Sequence, residues 1–136
     1  MKKIALLCVI FLFSYNVEAQ EYVVIANKTV KELSSSQIKA IFLKKMSFVG
    51  DVKVIPVSLQ VRDPLRKHFE SHILKMSFSR LKSYWIKQHY LGFRPPISLK
   101  SEESVKSFVK RVDGAIGYIN KENLDPGIKV LYSWQD

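Results

Sequence analysis

Val52–Phe69 reads VKVIPVSLQVRDPLRKHF and passes from one kind of backbone order to another within a single stretch. Val52, Val54, Ile55, Val57 and Leu59 are apolar and mostly β-branched, the composition of a pleated and largely buried strand. Gln60–Asp63 interrupts it as a short polar loop. Asp63 has the side chain of an N-cap, and Pro64 at the first helical position brings a preset φ and no N–H to leave unpaired. Leu65, Phe69, Ile73 and Met76 continue at helical spacing. A strand that hands over to a capped helix through a tight loop leaves amides at the helix start, where the macrodipole favours an anion. Arg62 and Arg66 flank that junction. Two readings stand side by side: a small oxyanion site, and a surface loop carrying ordinary arginines.

Upstream, Glu21–Ala26 (EYVVIA) is a short apolar strand, followed by a loop at Asn27–Thr29. Ser34 and Gln37 have capping-box spacing, and Leu33 and Ile38 that of a hydrophobic staple. Ile38, Ile41 and Phe42 form the buried face of the helix they open. Phe48–Asp51 turns into the strand described above. Downstream, Ser77 caps a helix with Phe78, Leu81 and Trp85 as its apolar stripe, ended by Gly92. Arg94–Pro96 is an extended linker. Ser101 caps a further helix, with Glu102 and Glu103 in the first turn and Lys110 and Arg111 in the last, as the macrodipole favours. Val105, Phe108 and Val109 face the core. Asp113–Gly114 turns into a strand at Ala115–Ile119, and a last strand at Lys129–Tyr132 follows the turn Asn123–Gly127. Strands separated by helical crossovers predict an α/β fold with a mainly parallel sheet flanked by helices. With successive helices alternating in direction, those starting at Ser34, Pro64 and Ser101 begin at the edge where parallel strands end. Ligands of open α/β sheets sit at that edge.

A chain of 136 residues holds one domain. Lys2 and Lys3 precede the apolar run Ile4–Phe13, and Val17-Glu18-Ala19 is a small-x-small cleavage signal, so residues 1–19 read as a cleaved signal peptide. The apolar run is too short for a permanent membrane anchor. Cys8, the one cysteine, lies inside it, and Leu7 before it is not the small residue that a lipid attachment site needs. Residues 20–136 are then cysteine-free, with no disulfide and no thiol chemistry. An export signal on such a domain predicts the periplasm. Removing Lys2, Lys3 and Glu18 lowers the formal charge of +10 by only one. A surplus of that size points to an anionic partner. Export argues against nucleic acid, and the lysines are scattered rather than gathered into a groove.

His68 and His72 stand one helical turn apart around Glu70, but HFESH is not the HExxH order and no third ligand is evident, so no metal is expected. Trp85 packs economically with Phe78 and Leu81 rather than forming a platform with Tyr84 and Tyr90. No spacing of serine, histidine and acid points to a nucleophile, and no Gly-rich nucleotide loop is present. The chain is expected to be no enzyme and to carry no cofactor.

Taken together, Ser34–Leu43 (SSSQIKAIFL), the turn into VKVIPV, the loop and Pro-Leu-Arg helix, the Met-Ser…Leu-Lys-Ser-Tyr-Trp run of Met76–Trp85, and Gly114–Ile119 (GAIGYI) resemble a known family. It is that of the phosphate-binding periplasmic proteins of ABC transporters, and more closely its short single-domain members. The resemblance implies one lobe of a type II periplasmic-binding-protein fold over residues 20–136, and phosphate or a similar oxyanion as ligand. It makes Arg62 the match for the family's phosphate-site arginine, with Arg66 beside it. Ser58, Gln60, Asn27 and Thr29 are loop donors that could join the site; the plainer alternative is that Arg66 pairs with Asp63 across the first helical turn, Arg62 is solvated and the four donors are turn residues. The departures are plain: no Ser-Gly-Thr cluster follows Arg62, and Asp63 adds a carboxylate. A single lobe leaves its anion half hydrated, which weakens each hydrogen bond to it. Weak binding is therefore expected, with a homodimer or a transporter or sensor protein supplying the other wall. The rival expectation is a periplasmic protein-interaction module that keeps the fold and has lost the ligand.

Overall fold

The computed structural model describes residues 19–135; the expected signal peptide, but for Ala19, lies outside them. Strand β1 (Glu21–Ala26) is buried almost from end to end because it runs inside the sheet. β6 (Ala115–Asn120) pairs with one side of it and β7 (Lys129–Gln135) with the other, both antiparallel. Helix α1 (Ser35–Phe42) has the capping box in place: Ser34 Oγ accepts from Gln37 N, and the Gln37 side chain accepts from Ser34 N. A small hairpin, β2 (Phe48–Val49) and β3 (Val52–Lys53), fills what was expected to be a turn and the first residues of the long strand. That strand, β4, is Ile55–Leu59.

Helix α2 (Pro64–Phe69) starts at Asp63 as expected and ends in a π-helical turn, Glu70–Leu74, closed by Lys75 at φ 54°. Helix α3 (Phe78–Tyr90) is capped by Ser77, and α4 (Glu102–Arg111) by Ser101. Between them the expected linker runs into β5 (Ile97–Leu99), a short edge strand, the position in a sheet that tolerates neighbouring prolines. The α3 stripe is a correction. Leu81 is buried, but Phe78 is 65% exposed, since the inward face of α3 is made by Leu81 and Tyr84, with Trp85 half-buried at the margin between the inward and outward faces. Tyr84 Oη donates to Leu43 O at 2.6 Å and ties α3 to the end of α1.

The sheet order is β5-β4-β6-β1-β7. β4 pairs in parallel with β5 and with β6, so every strand but β1 runs the same way, and the sheet is mostly parallel with helices on both faces. Alternation along β6 shows both layers. Tyr118 stacks on Phe69 at 4.1 Å and lies 6.1 Å from Phe42, on the α1–α2 face. Gly117 points the other way, and a Cβ there would lie 2.5 Å from Val105 Cγ1, so the missing side chain is what lets α4 close on the sheet.

The direction of β1 overturns one expectation. Its last residue, Ala26, pairs with Ile116 and Lys129, at the edge where β6 begins. The loop into α1 is fastened to that edge: Asn27 N donates to Ala115 O at 2.8 Å, and Gly114 N to Thr29 Oγ1 at 2.9 Å. Two of the three expected helix starts, those of α2 and α4, follow the carboxyl ends of β4 and β5; the loop to α1 leaves from the opposite side.

Candidate functional site

From β4 the chain leaves towards β5 on one side, while β6 lies on the other, so the crevice outside these strand ends is the switch point of the sheet. β4 and β6 pair only through Ile55↔Ala115 and Pro56↔Ile116, after which β4 pairs with β5 from Val57↔Ile97 onward. Side chains of the chain itself occupy the backbone groups released where β4 and β6 separate. The Tyr118 hydroxyl accepts from Leu59 N at 3.1 Å and shares a 2.6 Å hydrogen bond with Ser58 Oγ. Arg66 Nη1 donates to Leu59 O at 2.9 Å and to Ser98 Oγ at 3.2 Å. At the end of β6, the Glu102 carboxylate takes both Asn120 N and Asn120 Nδ2. These groups meet because β4, β5 and β6 end at one edge and α4 begins there.

The amides expected to stand open at the α2 start are engaged as well. Pro64 has none to offer. Leu65 N donates to Asp63 Oδ1 at 2.9 Å, and Arg66 N and Lys67 N donate to Asp63 O at 3.1 and 3.4 Å. One residue, Asp63, thus satisfies the first turn of α2 with its side chain and its carbonyl. These amides are therefore not left open, contrary to the expectation from the sequence.

The six residues singled out in the sequence fall into two groups. Ser58, Gln60, Arg62 and Arg66 lie at the carboxyl edge. Asn27 and Thr29 lie at the opposite one, where Asn27 Nδ2 donates to Val109 O at 2.8 Å and Asn27 Oδ1 accepts from Thr29 N and Thr29 Oγ1. Asn27, 4% exposed, stitches the β1–α1 loop to the end of α4. Within the first group Ser58 is buried against Tyr118 and Arg66 is held internally, its Nε 3.6 Å from Glu70 Oε1 rather than paired with Asp63. Gln60 is exposed and closes the loop through its carbonyl, which accepts from Asp63 N. Arg62 is exposed, and no other described residue pairs with its guanidinium.

Arg62 borders a groove of about 790 Å³, bounded by the β4–α2 loop, the π-helical turn and the start of α3. Val61, Met76 and Phe78 give it an apolar wall; Lys67 and Lys75 add positive charge and Ser71 and Ser77 hydroxyl groups. Glu70 also reaches it. Burial pushes that carboxyl above its ordinary value, and Arg66 beside it opposes the shift. Burial likewise pushes the Tyr118 hydroxyl up to about 12, against the hydrogen bonds to Ser58 and Leu59, so this hydroxyl stays neutral at pH 7. Lys67, Ser71 and Lys75 were not singled out in the sequence, where the lysines read as scattered; Lys67 comes from α2, and the π-helical turn with the left-handed Lys75 supplies the other two. His68 stacks on His72 at 4.3 Å and accepts from Trp134 Nε1 through Nδ1 at 2.9 Å. Among the described residues no three His, Cys, Asp or Glu side chains gather as metal ligands, and no helix is long and apolar enough to cross a membrane.

No family model matches the chain, and no curated protein matches it. Solved structures do. An ABC-type phosphate transport receptor from Vibrio cholerae is similar over 82% of this chain, with 18% identity and a TM-score of 0.67. A crystal structure from Clostridium perfringens, of a putative phosphate ABC transporter substrate-binding protein with bound phosphate, is similar over 83%, with 22% identity and a TM-score of 0.65. The chain spans about half the length of each, 45% in both cases. At these identities the likeness is one of fold, and the fold is the single α/β lobe expected from the sequence.

Proposed function

We propose that this protein is an exported, non-catalytic binding protein that takes phosphate or a similar small oxyanion on its single lobe, with Arg62 as the leading charge. The observation that carries this reading is an uncommitted guanidinium at the carboxyl end of β4, heading a groove with Lys67, Lys75, Ser71 and Ser77. A planar fork of donors suits a tetrahedral oxyanion, and two ammonium groups add charge without demanding geometry. Gln60 is exposed in the loop that carries Arg62. Ser58 and Arg66 serve by holding the β4 edge, and Asn27 and Thr29 by holding the opposite one. The likeness to these structures, one of them with bound phosphate, supports this ligand class. Export rests on Lys2, Lys3, the apolar run Ile4–Phe13 and Ala19.

A groove open to water leaves the anion's hydration in competition, so affinity is on the order of millimolar. A second copy of the chain, or a transporter or sensor protein, supplies the other wall and tightens binding. Calorimetric titration with phosphate, sulfate and a dicarboxylate tests this. Saturable heat with phosphate, lost in Arg62→Ala, is the expected result. The second reading is a periplasmic protein-interaction module that keeps the fold without a ligand, the strand-end and α2 amides being taken by Tyr118, Glu102 and Asp63. No heat with any of the three anions selects it.

A further inference from the structure

The outward face of α3 is apolar, aromatic and basic at once. Phe78, Lys82, Trp85, Ile86, His89 and Tyr90 recur at the spacing of a single helical stripe. Lys82, Trp85, Ile86, His89 and Tyr90 together line one shallow depression. Phe78 is 65% exposed, Ile86 54% and Tyr90 85%. The strip continues beyond the helix through Leu91 and Phe93, both exposed, where Gly92 at φ 87° turns the chain and Phe93 N donates back to Gln88 O. Residues 71–101 contain no Asp or Glu, but they do contain Lys75, Arg80, Lys82, Lys87, Arg94 and Lys100. Exposed apolar side chains in one contiguous strip mark a docking surface, and the charge around them sets the sign of what docks.

We propose that this face of α3 docks on an anionic lipid bilayer, with the helix lying flat in the interface. Three observations choose that occupant. A second copy docked through this strip would bring Lys82, the one lysine on it, up against its own counterpart, like charge against like. Protein interfaces are depleted in lysine at their centres, whereas here Lys82 stands among the apolar residues. A bilayer interface accommodates that mixture: ring and aliphatic groups sink below the headgroups while lysine and arginine reach back up to the phosphates. The depression is shallow and the helix that carries it has 13 residues, about 20 Å, which suits a plane better than a deep socket.

The test uses the full chain with vesicles of phosphatidylglycerol or of phosphatidylcholine, some carrying brominated acyl chains, and reads tryptophan fluorescence. Trp85 sits on the strip and Trp134 is buried, so quenching reports the α3 face rather than the apolar run near the N-terminus. The expected result is quenching with phosphatidylglycerol and not phosphatidylcholine, absent in Trp85→Phe. Ile86→Ser and Tyr90→Ser, exposed positions checked by circular dichroism, weaken it on the order of tenfold each, and Lys82→Gln about fivefold. Vesicle binding without quenching of Trp85 overturns the proposal, as does binding equally strong in Ile86→Ser and Tyr90→Ser. Binding to poly-glutamate that both serine variants lose, with none to vesicles, overturns the lipid assignment in favour of an acidic protein.

Discussion

Replacing Tyr118 by Phe removes one oxygen atom from a place where two buried partners depend on it. The ring, fully buried and stacked on Phe69 at 4.1 Å, stays where it is, so packing is preserved. Leu59 N and Ser58 Oγ lose their partner between strands that have already separated. An orphaned buried N–H costs about 1–3 kcal/mol, and the lost hydroxyl pair adds about 1 kcal/mol. The folded state should weaken by about 2–4 kcal/mol, read as a fall on the order of 1–2 M in the urea midpoint at pH 7. The same hydroxyl supplies a second readout. The unfolded chain gives up this proton near pH 10.0, whereas the folded chain holds it to about 12. Its contribution to stability is therefore complete below pH 10.0 and is lost as pH rises towards 12. The difference between wild type and Tyr118→Phe should narrow by about 2–3 kcal/mol over that window. A variant within about 0.5 kcal/mol of wild type at pH 7, with no narrowing in alkali, would refute the closure of the β4 edge by Tyr118.

Arg66→Lys keeps the charge and loses the fork between Leu59 O and Ser98 Oγ; a loss of about 1–2 kcal/mol in urea denaturation is expected, and an unchanged midpoint contradicts it. Glu102→Gln removes a negative charge from the end of β6 and half of its grip on Asn120, so stability should fall by about 1–2 kcal/mol while calorimetric phosphate binding strengthens. Gly117→Ala places a Cβ against Val105 and Val57 and should lower the thermal midpoint by the equivalent of about 1–3 kcal/mol, with a smaller loss when Val105→Ala is added.

Local chemistry is legible in this sequence wherever a residue type has one good use. Ser34 with Gln37, Asp63 with Pro64, Ser77 and Ser101 open their helices in the structure as read from the chain. What could not be read is relational. Nothing within EYVVIA tells which way β1 runs, because direction is set by its partners, and that one fact separates Asn27 and Thr29 from Arg62. β5 is too short to show a period and follows two prolines, so it reads as a linker. Phe78 at the right spacing to join Leu81 and Trp85 promised burial, yet its azimuth points it out of the core. Tyr118 read as one more strand residue; the signal available was a hydroxyl that a buried tyrosine has to place somewhere. Glu102 read as a helix-dipole residue, and its second task at Asn120 depends on β6 ending beside the α4 start.

Titration of isotopically labelled protein with inorganic phosphate, followed by amide and guanidinium NMR shifts, tests the proposed ligand site most directly. Saturable shifts confined to Gln60–Lys67, Ser71 and Lys75–Phe78, together with the Arg62 side chain, and abolished in Arg62→Ala, are the expected result. Shifts that grow linearly, spread over the scattered surface lysines and are reproduced by chloride at equal ionic strength would contradict it.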